Sequence, residues 1–250
     1  MRFVCGLEYD GTVYFGWQKQ KSVITVQECM DLALSTIANH SVFTVCSGRT
    51  DRGVHAVMQI IHFDTHAIRN NQSWLNGLNS LLPKDITVLW IQEISFEFHA
   101  RFSTVFRSYR YLILNKKYQS SFLKNYYFHV RDQLNINNMK YMSKFLIGWH
   151  DFSAFKSSGC QSKTSIKHVY SLEIYSNNNF IIIDITANSF LYHMVRNIVG
   201  YLITIGLSKG TISYPNTFVN NADLKKKYVT APPQGLYFLY AQYSRHYHLP

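Results

Sequence analysis

The residues best suited to chemistry lie in one short run, Gly48-Arg49-Thr50-Asp51-Arg52-Gly53-Val54-His55-Ala56. A lone carboxylate stands in a glycine-bracketed loop with arginines on both sides. Nearby positive charge favours the ionised form of an aspartate. An ionised, positioned carboxylate can act as a nucleophile or a base. The same pattern also suits a turn aspartate that accepts backbone N–H groups, the commoner fate of a loop Asp. Other constellations offer less. His62 and His66 are four apart, but on a strand-like run and the loop after it, not on one helix face. Cys5, Cys29, Cys46 and Cys160 form no C-x-x-C and no zinc-type Cys/His spacing. There is no H-E-x-x-H and no glycine-rich phosphate loop. A metal-dependent nuclease or hydrolase needs a ligand cluster that this chain does not offer, so no metal is expected.

The elements that position the loop can be read from periodicity. Residues 2–9 form a strand-like run ending in Asp10-Gly11. Val26, Met30, Ala33, Leu34 and Ile37 recur at helical spacing within Val26 to Ala38. Ser41 to Cys46 and Val57 to Phe63 are strand-like and flank the loop. Asn70 to Leu82 is a helix stopped by Pro83, and Ile86 to Ile94 a strand. The order is β-α-β-β-α-β. The rest of the chain follows a similar order, with strands over Arg107 to Leu114 and Tyr126 to Val130 and a helix over Asn137 to Leu146. Ile166 to Tyr175 and Phe180 to Ala187 form a hairpin about Asn177-Asn178-Asn179, before a long helix over Phe190 to Gly206 and a last strand over Gly235 to Tyr243. The fold class expected is α+β, with two ferredoxin-like halves of mostly antiparallel sheet, 1–103 and 104–250. Helical spacing also puts Ser189, His193, Arg196, Asn197 and Gly200 within about 100° of arc, a polar stripe expected to face a cleft.

The chain has 250 residues, a hydrophobic fraction of 47% and a net charge of +11. That apolar content supports a packed core and argues against disorder. The positive balance points to a polyanion, with nucleic acid ahead of an acidic membrane. Phe190 to Gly206 is the most apolar stretch, but His193, Arg196 and Asn197 make it a poor membrane span. The first residues enter a strand directly, without a secretory h-region. Reduced thiols fit a cytoplasmic protein. Lys225-Lys226-Lys227 suits a solvated loop and also phosphate contact.

Gly48 to Ala56 resembles the nucleophile loop of the bacterial tRNA pseudouridine synthases of the TruA family, which act on tRNA positions 38–40. Four further blocks match in family order: Tyr9-Asp10-Gly11-Thr12 with Phe15-Gly16-Trp17-Gln18; Phe98-His99-Ala100-Arg101-Phe102-Ser103 with Tyr109-Arg110-Tyr111; Asn188 to Gly200; and Ala231-Pro232-Pro233 with Gly235-Leu236-Tyr237. Together they span nearly the whole chain. The resemblance implies an isomerase that turns uridine into pseudouridine in the anticodon stem-loop, with no cofactor, working as a homodimer with tRNA in a cleft between the halves.

By the same resemblance Asp51 is the nucleophile and Arg196 its ionic partner. Tyr109 stacks on the flipped base and helps remove the C5 proton, Arg49 fills the vacated place, and Leu236 lines the base pocket. Flipping a stacked base costs roughly a few kcal/mol, part of which stacking on an aromatic ring recovers. His55 and His193 read as structural or RNA-contacting residues. Arg52 departs from the family, which commonly has a small residue there. The Asn-rich segment 214–229 departs too, replacing a better-formed helix, and Phe155 to Thr164 keeps only part of a family loop. A catalytically dead tRNA-binding relative would have lost Asp51 or Arg196, and both are present.

Overall fold

A computed structural model describes residues 1–208 and 228–250. The chain forms two compact units, Met1–Arg107 with Tyr237–Pro250, and Ser108–Leu236. The last strand thus returns to the first unit. Lys225-Lys226-Lys227 and most of the segment 214–229 lie outside the described residues.

The first unit contains β1 (Arg2–Tyr9), α1 (Val26–Ala38), β2 (Val45–Cys46), β3 (His55–Asp64), α2 (Asn71–Leu81) and β4 (Ile86–Ile94). This is the β-α-β-β-α-β order read from the sequence. β1 pairs antiparallel with β3 and with β4, and β2 pairs antiparallel with β3. The final strand, β10 (Leu236–Tyr243), runs parallel to β3 through Tyr237 opposite His55 and Phe238 opposite Ala56.

Both helices carry side-chain caps. Thr25 accepts from the Glu28 N–H, and Asn70 accepts from the Ser73 N–H. Such caps satisfy N–H groups that the first turn leaves without partners. α2 packs Trp74 against Phe3 and Phe63 with ring centroids 5.8 and 5.5 Å away. Fully burying such rings stabilises by roughly 2–3 kcal/mol each.

The strand expected over Ser41 to Cys46 is reduced to its last two residues. Side chains of α1 take its backbone groups instead: Ser35 Oγ accepts from Val42 N at 2.9 Å and Asp31 Oδ1 from Thr44 N at 2.9 Å. Backbone donors engaged in this way are not available to a sheet ladder.

The second unit contains β5 (Thr104–Asn115), which starts in the first unit, then β6 (Phe128–Val130), α3 (Ile136–Ser143), β7 (Gly148–Asp151), β8 (Ile166–Asn177), β9 (Phe180–Ala187) and α4 (Met194–Leu207). The strands lie in the order β5-β9-β8-β7, with β6 parallel to β5. β8 and β9 form the expected hairpin, closed by Asn178 at φ 52°. β7 was not legible in the sequence.

The long helix is shorter than its apolar run. α4 starts at Met194, because His193 takes a left-handed φ of 60° and 188–193 are tied down as a loop. Asn188 Oδ1 accepts from His168 N and Ser189 N, and Tyr192 O accepts from Ser157 N. The polar stripe read on a helical wheel is therefore no helical face. Ser189 and His193 precede the helix, while Asn197 and Gly200 are buried within it.

Candidate active site

Asp51 is half-buried at the tip of the loop between β2 and β3, and backbone groups on both sides of it are engaged. Thr50 O accepts from Trp17 N at 3.0 Å, and the Thr50 hydroxyl lies 2.7 Å from the Tyr9 hydroxyl. Asp51 O accepts from Val54 N at 3.1 Å, closing a turn, and Gly53 N donates to Tyr14 O at 3.3 Å. Gly16 lies face to face with this strip at φ +87°, where a Cβ would meet Thr50 O at 2.6 Å. Only glycine suits both the conformation and the close approach.

The entry to the loop is held from both sides. Gln59 is buried on β3 and donates through Nε2 to Gly48 O at 2.7 Å, while its Oε1 accepts from Ser47 Oγ at 2.6 Å. The Arg107 guanidinium donates twice to Ser47 O, from Nε at 2.9 Å and Nη2 at 2.7 Å. On the exit side, His55 is buried, its Nδ1 lies 3.1 Å from both Gly11 N and Asp10 Oδ1, and its ring stacks on Tyr237 at 4.8 Å. His55 is a packing residue here. Arg49 and Arg52 are exposed, and the Arg52 guanidinium lies 4.1 Å from the centroid of the Phe15 ring.

In the second unit a different cluster forms around residues 228–236. Arg196, in the first turn of α4, donates through Nε to Ala231 O at 2.8 Å, and its own carbonyl accepts from Ala231 N at 3.1 Å. Tyr111 on β5 donates to Pro232 O at 2.7 Å. Burial drives the Tyr111 phenol well above its ordinary range, with the Arg196 charge opposing. Tyr109, two residues earlier on β5, is buried edge-on against Phe190 at 5.0 Å. Leu236, also buried, follows the turn Pro233–Gly235, whose backbone packs on Tyr111 and Leu112. β5, α4 and the 228–236 segment thus converge within this unit.

The sequence profile of the tRNA pseudouridine synthase family matches residues 7–103 and 142–244. Proteins named tRNA pseudouridine synthase A are similar along the full length. One from Buchnera aphidicola subsp. Schizaphis graminum is 46% identical over 249 residues, covering 100% of this chain and 94% of its own. One from Buchnera aphidicola subsp. Acyrthosiphon pisum is 45% identical over 248 residues, covering 99% and 93%. One from Psychromonas ingrahamii is 44% identical over 250 residues, covering 100% and 96%. This chain belongs to the tRNA pseudouridine synthase family.

As a member of that family it is an isomerase that converts uridine in tRNA to pseudouridine. Asp51 and Arg49 share the loop of the first unit, whereas Tyr109, Arg196 and Leu236 belong to the second. Of the residues that hold the Asp51 loop, Tyr9 was read only as part of a matching block, and Gln59 and Arg107 were given no role in the sequence. Nothing about a glutamine on a strand signals that it will face a backbone turn 11 residues away. Among the described residues no group of three or more His, Cys, Asp or Glu could hold a metal, and no helix is long and apolar enough to cross a membrane.

Proposed function

We propose that this synthase isomerises uridines at positions 38, 39 and 40 of the tRNA anticodon arm, with Asp51 as its nucleophile. The supporting observation is the loop itself: a half-buried carboxylate on a turn held by backbone hydrogen bonds at Thr50, Asp51 and Gly53, flanked by two exposed arginines. A rigid turn keeps the nucleophile in attacking geometry without an ordering cost at the moment of reaction. A carboxylate facing an RNA backbone also needs positive charge nearby to offset the repulsion between them.

In this reading Asp51 attacks the ribose C1′ of the flipped uridine and the N-glycosidic bond breaks. The uracil then turns and its C5 bonds to C1′, releasing the Asp51 carboxylate. C5 loses its proton and N1 gains one, so substrate and product are isomers and the step calls for no cofactor. Tyr109 stacks on the flipped base and assists removal of the C5 proton, and Leu236 packs beside it. Arg196 supplies the counter-charge to the carboxylate, a role for which a planar guanidinium already anchored through Nε is well suited. Arg49 occupies the space the base leaves. The proposal extends to a homodimer in the cytoplasm.

The deciding experiment incubates unmodified tRNA with the wild type and with Asp51→Ala, and maps pseudouridine by position. Pseudouridine at 38–40 from the wild type and none from Asp51→Ala is the expected result. Equal product from the variant rules out the nucleophile, and product only outside the anticodon arm rules out the site specificity. Light scattering of the purified protein tests the dimer, and a monomer mass overturns it.

A further inference from the structure

We infer that Arg52 is a phosphate contact for the RNA strand that flanks the target uridine, held ready by Phe15. The inference rests on the preceding assignment of Asp51 to the reaction.

Among the described residues Arg52 makes no hydrogen bond and no ion pair; its one contact of note is with the Phe15 ring, 4.1 Å from guanidinium carbon to centroid. An arginine without an acidic partner, on an exposed turn, ordinarily samples many rotamers. This one rests on an aromatic face, which restricts it at little cost in hydration. A guanidinium over a ring keeps its five N–H donors in its own plane, at the edge, where a phosphate can take two of them.

The support under the guanidinium is itself fixed. Phe15 N donates to Ile24 O at 3.0 Å, Phe15 O accepts from Gln20 Nε2 at 3.0 Å, and the next residue, Gly16, packs on the backbone of Thr50 and Arg52. Phe15 remains 37% exposed, so the pair faces solvent rather than core. Neighbouring Cα atoms are only ~3.8 Å apart, which puts Arg52 within reach of the phosphates beside any nucleotide that Asp51 attacks.

A phosphate contact positions RNA without reading its sequence. It also leaves a signature in salt. Each neutralised phosphate contributes close to one unit to the slope of log affinity against log salt.

The test measures tRNA binding by anisotropy across a salt series, and single-turnover pseudouridine formation, for the wild type, Arg52→Gln, Arg52→Lys and Phe15→Leu. Arg52→Gln is expected to bind about tenfold more weakly at moderate salt and to show a slope shallower by about one. The loss falls on KM rather than kcat and is equal for tRNAs with different flanking bases. Arg52→Lys keeps the slope while losing part of the affinity, and Phe15→Leu does the same through a loosened guanidinium. Thermal melts of the four proteins coincide, since both side chains are at the surface. An unchanged slope in Arg52→Gln overturns the inference. A loss confined to one flanking sequence overturns it in favour of base reading. A wild type that makes no pseudouridine in tRNA fails the activity assignment itself, a result distinguishable from an active wild type with an indifferent Arg52.

Discussion

The side-chain amide of Gln59 holds the Gly48 peptide from both directions, donating to its carbonyl at 2.7 Å and accepting from its N–H at 3.4 Å. The same Oε1 takes the Ser47 hydroxyl. This places a strand residue in control of where the Asp51 loop departs from the sheet. Gln59→Leu keeps the volume but leaves these buried groups without partners, at a cost of about 2–4 kcal/mol. The loop then shifts, and if Asp51 is the nucleophile proposed, its misplacement by about 1 Å can cost on the order of 10²-fold in rate. Denaturant melts and single-turnover assays check both. A variant with wild-type kcat would show that the loop is positioned from elsewhere.

How much of this was legible beforehand depended on how local the cause was. α1 and β4 were readable to the residue because their apolar spacing is contained in the segment. The Asp51 loop was readable because its glycines and charges adjoin in sequence. β2 was overestimated, since Ser35 and Asp31 of a helix capture its backbone from seven and 13 residues away. α4 was overestimated because apolar residues at 190–192 continue the helical pattern, while the turn at His193 is set by contacts to Ser157 and His168. Gln59 was missed for the same reason: its partner is chosen by sheet register, which no single segment encodes.

Acid should destabilise the first unit through His62. This ring is buried on β3, and its Nδ1 accepts from Ala100 N at 3.1 Å, which requires the unprotonated form. Burial, aided by the charges of Arg2 and His99 and opposed by Asp64, lowers its pKa from 6.5 to about 4. The unfolded chain therefore binds the proton first as pH falls. The stability is fully present above pH 6.5, declines between 6.5 and about 4, and is flat below, a loss on the order of 3 kcal/mol. Asp31, whose carboxyl is raised by burial, opposes this in the most acid part of the range. Urea melts from pH 7.5 to 4 should show the decline in the wild type and a flatter curve in His62→Asn. Parallel curves would exclude His62 as its source.

The four thiols should separate by reactivity. Cys5 and Cys46 are buried, and burial pushes Cys46 up to about 12 and Cys5 further still, despite arginines 49, 101 and 107 near Cys46. Thiolate is the reactive form, so both resist alkylation in the folded protein. Cys29 is half-buried and also raised, by burial and then by Glu28. Cys160 is half-buried in a loop, where its sulfur accepts from Tyr192 N at 3.4 Å. Iodoacetamide at pH 8 followed by peptide mass spectrometry should label Cys160 first, Cys29 slowly, and the other two only after denaturation. Early labelling of Cys46 would mean that the Asp51 loop opens on the labelling timescale.

Gly200 tests whether the 228–236 segment sets the position of Arg196. A Cβ at Gly200 would lie 1.9 Å from Val229 O, so backbone has to move on one side or the other. The segment cannot yield easily, because Thr230 Oγ1 donates to Asn197 at 2.7 Å, Ala231 joins Arg196 through two hydrogen bonds, and Tyr111 holds Pro232 O. Gly200→Ala should therefore cost about 2 kcal/mol or more by overpacking and draw α4 off the segment. Arg196 then loses its anchor while keeping its charge. Turnover is expected to fall at least about tenfold, with tRNA affinity nearly unchanged, because the disturbed geometry is local to the role proposed for Arg196 and not to phosphate contacts. Arg196→Lys, which retains the charge but has no Nε donor in that position, should reproduce the turnover defect without the loss of stability. If Gly200→Ala lowers affinity and turnover together while Arg196→Lys is fully active, the anchoring of the guanidinium by Ala231 has no part in the rate.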